Sequence, residues 1–73
     1  MKIRYVTPTM KEINETVDPL QTLGESMEKI MTDEKLSKVK FLFDGRSIKD
    51  DDISYGVGMH ERKINYVDIV YTR

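Results

Sequence analysis

The stretch Val39-Lys40-Phe41-Leu42-Phe43, followed at once by Asp44-Gly45, constrains the fold more than any other part of this chain. β-Branched and aromatic residues dominate the first five positions, and Asp-Gly is among the strongest short-range hairpin signals. Glycine reaches φ > 0 without a Cβ clash, so the chain can reverse direction there within two residues. A short edge segment around Ile48 completes the hairpin. Because side chains alternate along a strand, Phe41 and Phe43 share one face and Leu42 takes the other.

The chain has 73 residues and no cysteine. Domains of this size bury only about 60% of their unfolded surface, so residues 1–73 are expected to form a single domain with an efficiently packed core. Neither a disulfide framework nor a thiolate metal site can add stability, and the lack of cysteine suits a reducing, intracellular compartment. Twelve basic and 13 acidic residues nearly cancel and are dispersed. A nucleic-acid binder gathers a basic surplus on one face, so no nucleic-acid partner is expected. No apolar run approaches the ~20 residues of a membrane span, and none matches a signal-peptide core.

Elsewhere the periodicities are clear. Lys2-Ile3-Arg4-Tyr5-Val6 alternates as a half-buried strand, and Thr7-Pro8-Thr9 breaks it. Lys11 to Val17 is a second strand with Ile13 and Val17 on one face, where Glu15 is a local inconsistency. Asp18-Pro19 ends the hairpin. Thr22-Leu23-Gly24-Glu25 reads as a capping box, with the Thr22 hydroxyl and the Glu25 carboxylate satisfying each other's backbone N–H groups. Leu23, Met27, Ile30 and Met31 then make one helical stripe, and Glu25 with Lys29 an i,i+4 pair opposite. At this spacing the methionines belong to the core. The helix is expected to fade at Thr32-Asp33, with Leu36 tucked beneath it. Lys49-Asp50-Asp51-Asp52 reads as a solvated acidic loop. Tyr55-Gly56-Val57-Gly58-Met59 reads as a tight loop or one 3₁₀ turn. Ile64 to Tyr71 is a last strand, with Val67, Ile69 and Tyr71 on one face and Asp68, Val70 and Thr72 on the other.

Strand, strand, helix, strand, short strand, strand predicts an α+β chain. The expected architecture is a β-grasp (ββαββ, a mixed sheet with one crossing helix), its first and last principal strands paired in parallel at the centre.

The residues then carry a resemblance. Met1-Lys2-Ile3, Lys11, Ile13, Val17, Pro19, Thr22 and Ile30 look like the hairpin and helix of ubiquitin-like proteins. Leu20-Gln21-Thr22-Leu23-Gly24-Glu25-Ser26-Met27 is similar to the helix start of the small ubiquitin-like modifier, SUMO, of the form L-x-x-L-x-E-S-aromatic. Phe41-Leu42-Phe43-Asp44-Gly45-Arg46-Ser47-Ile48 is close to its F-L-F-[DE]-G-x-x-I signature, and Val57-Gly58-Met59 resembles its later L-G-M. The resemblance covers nearly the whole chain. It implies a non-catalytic, monomeric SUMO-like domain that binds noncovalently to a protein of the SUMO pathway, above all the conjugating enzyme. Such domains occur in nuclear scaffold proteins of genome maintenance.

Two departures shape that expectation. Conjugated members end in Gly-Gly, whereas this sequence reads Val70-Tyr71-Thr72-Arg73, so as written it is not expected to be conjugated. The SUMO groove beside the second strand uses lysines to read peptides, whereas Asn14 and Thr16 stand at the matching positions here. Two alternatives stay open: a covalent modifier whose Gly-Gly lies beyond residue 73, and the compact, unconjugated ubiquitin-like protein associated with splicing. The latter lacks the Phe-Leu-Phe-Asp-Gly stretch.

No chemistry competes with a binding role. His60 is the only histidine and has no cysteine to pair with, so neither a nucleophilic dyad nor a metal site is indicated. Asp50-Asp51-Asp52 lacks the alternating ligands, central Gly and distal Glu of a calcium loop. Ser47 and Ser54 have no nucleophile context, and Gly56-x-Gly58 is too short to cradle phosphate. No enzyme activity and no cofactor are expected. Attention falls instead on apolar residues that alternation sends outward. Leu42 and Val70 should form one exposed patch, with Lys40, Asp68 and Arg4 around it, which is the anatomy of a protein-binding face. The resemblance adds Asp44, to meet a basic partner residue, and Gly45, to allow close backbone approach. The expected protein-binding residues are thus Lys40, Leu42, Asp44, Gly45, Asp68 and Val70.

Overall fold

Alternation and turn chemistry together produce five strands and one helix. The computed structural model describes residues 1–72 and contains β1 (Lys2–Val6), β2 (Glu12–Thr16), α1 (Gly24–Asp33), β3 (Val39–Phe43), β4 (Arg46–Ser47) and β5 (Ile64–Tyr71), with a 3₁₀ turn at Tyr55–Val57. The strands form one mixed sheet in the order β2-β1-β5-β3-β4. β1 and β5 run parallel at its centre, and the other neighbours are antiparallel. One helix on such a sheet is the α+β arrangement expected from the sequence, compatible with a β-grasp.

The core lies between the helix and one face of the sheet. Ile3 and Tyr5 from β1, Phe41 from β3, and Val67 and Ile69 from β5 meet Leu23, Met27 and Ile30 of the helix, with Met59 beneath the 3₁₀ turn. Tyr5 and Phe41 pack edge to face, their ring centroids 5.7 Å apart. Each such buried large side chain contributes ~1.5–3 kcal/mol through area removed from water. Phe43, Val39, Ile13, Met31 and Leu36 close the margins. Tyr71 keeps the phase of Val67 and Ile69 but lies beyond the core at the strand's end, 62% exposed.

The helix ends as the sequence suggests and begins otherwise. At its C-terminus Lys35 adopts φ 53°. The Leu36 N–H donates to the Met31 carbonyl at 2.8 Å and the Lys35 N–H to Thr32 at 3.3 Å, a Schellman turn that folds Leu36 back under the helix. At its N-terminus the capping box does not form: Leu23 is the N-cap residue, and no side chain caps it. Thr22 is instead paired as a bridge with Ile53. Two helix-start donors go to the loop, Leu23 N–H to the Asp52 carbonyl (2.8 Å) and Gly24 N–H to Asp50 (3.0 Å). The Asp50–Asp52 loop is therefore a backbone cap as well as a solvated segment. Its own turn is held by the Asp52 carboxylate, which accepts the Lys49 N–H at 2.7 Å.

Glu15 finds its reason here too. Lys29 does not pair with Glu25; its ammonium reaches Glu15 across the sheet–helix boundary at 2.9 Å. The inward phase that looked anomalous in β2 is what lets this carboxylate tie β2 to α1.

Candidate protein-interaction face

The turn at the end of β3 fixes the geometry of the site. Asp44 and Gly45 both take positive φ, 53° and 81°, as a two-residue type I′ hairpin requires. Aspartate tolerates that conformation better than most residues, because its side chain is short and polar. The turn sets Phe43 opposite Arg46 and Leu42 opposite Ser47.

On its other side β3 pairs with β5, placing Lys40 opposite Val70 and Leu42 opposite Asp68. Residues directly opposite share a face, so Lys40, Leu42, Asp68 and Val70 all point away from the helix. Leu42 and Val70 are diagonal neighbours there. Both are half-buried rather than fully exposed, while Lys40, Asp44, Gly45 and Asp68 are exposed. The six residues singled out in the sequence thus lie on one continuous strip of β3, its turn and β5. A shallow groove of about 510 Å³ runs between the Asp44 turn and β5, lined among others by Asp44, Asp68, Tyr66, His60 and Lys63. Around Gly45 nothing lies within 4 Å of where a Cβ would stand, so the backbone there is open to close approach.

The most exposed apolar residues of this face escaped the sequence reading. Ile64 is 43% and Tyr66 52% exposed. Both share the phase of Asp68 and Val70 in β5, so alternation alone places them on the outward face. Tyr66 stands beside Arg4. The guanidinium donates from Nη1 to the Tyr66 hydroxyl at 3.2 Å and from Nε to Asn14 Oδ1 at 2.8 Å. It also lies 5.5 Å from the ring centroid, in cation–π range.

Asn65, which points inward, anchors the loop that borders the groove. Its Oδ1 accepts the His60 N–H at 3.0 Å, and its Nδ2 donates to the carbonyls of Lys2 (2.9 Å) and His60 (3.0 Å). The exposed Tyr55 phenol donates to Glu61 in the same loop, and that bond holds its pKa above the usual value. Among the described residues no three His, Asp or Glu side chains converge on a metal position. No helix among them is long and apolar enough to cross a membrane. Compared with models of protein families and with curated proteins, the chain finds no match in either.

Proposed function

We propose that this chain is a non-catalytic, SUMO-like interaction domain that binds noncovalently to a protein of a ubiquitin-like conjugation pathway through the outward strip of β3 and β5. The observation that carries the reading is the diagonal apposition of Leu42 and Val70 between Lys40 and Asp68, with Asp44 at the open end. A small apolar centre inside a charged rim has the anatomy of a protein-binding face. The partner that suits it best is the SUMO-conjugating enzyme, met on the face remote from its catalytic cysteine, in a nuclear setting. Asp44 supplies the charge for a basic partner residue, Gly45 the close backbone approach, and Leu42 with Val70 the dehydrated centre.

Calorimetry with that enzyme tests the reading. Asp44→Asn keeps a residue that tolerates φ > 0 and removes only the charge, so it isolates the electrostatic contact better than Asp44→Arg, which also strains the turn. Binding weakened tenfold or more by Asp44→Asn, with the melting temperature retained, supports the assignment. Unchanged affinity, or no binding by the unaltered domain, rejects it.

A further inference from the structure

At the far corner of the same sheet face, Lys2 and Arg4 of β1 stand directly beside Ile64 and Tyr66 of β5. Two cations thus border two exposed apolar side chains. Arg4 is not free to wander, because Asn14 and the Tyr66 hydroxyl hold its Nε and Nη1. Its Nη2 group has no hydrogen-bond or ion-pair partner among the described residues. A guanidinium fixed in advance loses less freedom when it meets a carboxylate. The acids of this face do not neutralise the corner: Glu12 and Asp68 flank Val6, one outward position further along β1. Beside the cations a hollow of about 270 Å³, lined by Lys2, Arg4, Asn14, Glu15 and Ile64 among others, has room for a side chain, and the Glu15 carboxylate is already engaged by Lys29.

We infer that this corner is a second docking surface, adjoining the Leu42–Val70 strip along β5 but built from other residues, for an extended acidic and apolar segment of a partner protein. Lys2 and Arg4 are two residues apart on one strand, a separation of ~7 Å. Carboxylates at alternate positions of an extended segment match that spacing, and apolar side chains at the adjoining alternate positions, on the same face of the segment, reach Ile64 and Tyr66. Arginine and tyrosine are the residue types that dominate binding energy at protein interfaces. Two cations are too few to carry a phosphate backbone, where affinity grows with each charge neutralised.

The test is a chemical-shift titration of the isotope-labelled domain with a synthetic peptide that carries two aspartates, a leucine and a phenylalanine at successive alternate positions, with serines between them. A lysine-for-aspartate version and oligothymidylate are the comparison probes. Saturable shifts centred on Lys2, Arg4, Ile64 and Tyr66 are expected with the acidic peptide. Arg4→Gln and, independently, Ile64→Ser should each weaken it fivefold or more, while Asp44→Asn leaves it unchanged. The inference is overturned if the acidic peptide gives no saturable shifts, if the shifts map elsewhere, or if the basic peptide binds equally well. Tighter binding of oligothymidylate would assign the corner to nucleic acid and overturn it too.

Discussion

The Gly24 N–H donates to the Asp50 carbonyl at 3.0 Å, and a Cβ built on Gly24 would stand 2.9 Å from that same oxygen. The helix therefore starts against the backbone of a loop rather than against a capping side chain. Alanine is the better helix former by ~1 kcal/mol, yet here its methyl must displace backbone. Gly24→Ala is expected to destabilise the domain by ~1–3 kcal/mol, the cost of overpacking. Urea denaturation checks this; a stability gain would mean the loop yields without penalty.

Ser54 offers the opposite case. It is fully buried, and its hydroxyl has no hydrogen-bond partner among the described residues. An unsatisfied buried hydroxyl costs ~1–3 kcal/mol, and alanine fills nearly the same volume. Ser54→Ala should raise stability by ~1 kcal/mol, which for a domain of this size lifts the melting temperature by ~4–8 °C. Differential scanning calorimetry reads it directly.

Asn65 is buried and fully engaged, joining the His60 loop to the start of β1. Truncation leaves the His60 N–H and the Lys2 carbonyl without their partner. Asn65→Ala is expected to cost ~2 kcal/mol or more, and to speed amide exchange at His60 well above the change in β3.

Alkaline pH should unfold the domain sooner than neutral pH does. Burial, opposed by a 2.7 Å hydrogen bond with Ser26, holds the Tyr5 phenol above its ordinary pKa. Hydrogen bonding and attraction from Glu15 likewise raise Lys29. In each case the unfolded chain gives up the proton first as pH climbs. The stability these groups contribute is intact below ~pH 10 and declines above it. Tyr5→Phe should flatten that decline while costing ~0.5–1.5 kcal/mol at neutral pH for the lost hydrogen bond. Denaturant midpoints measured from pH 7 to 11 compare the two proteins.

How much the sequence discloses depends on which interaction decides each element. Strands β1, β3 and β5, the helical stripe and the Asp44-Gly45 turn follow from local periodicity and turn chemistry, so they read directly. The outward position of Leu42 and Val70 follows from the same alternation. Contacts between segments distant in the chain do not read this way. The capping box is absent because Thr22 is drawn into a bridge with Ile53 and Leu23 takes the N-cap position, while the Asp50 and Asp52 carbonyls, 26 and 29 residues downstream of their donors, accept the Gly24 and Leu23 N–H groups. Lys29 chose Glu15 over Glu25 for a similar reason, since only the folded sheet brings β2 alongside the helix. Ser54 carries no local sign of burial, because its loop is irregular, whereas Asn65 keeps the inward phase of Val67 and Ile69 and only its partners in the His60 loop and β1 lie beyond that periodicity. Ile64 and Tyr66 were legible and simply outweighed by the hairpin signal.

We propose that a conjugation-pathway protein docks on the strip of Lys40, Leu42, Asp44, Gly45, Asp68 and Val70. The most direct test is a chemical-shift titration of the labelled domain with the SUMO-conjugating enzyme, using the unaltered chain and Leu42→Ser. Saturable perturbations confined to β3, its turn and the second half of β5 are expected, lost or weakened tenfold in the variant. Perturbations centred on the β2–α1 groove, or none at stoichiometric enzyme, would contradict that docking.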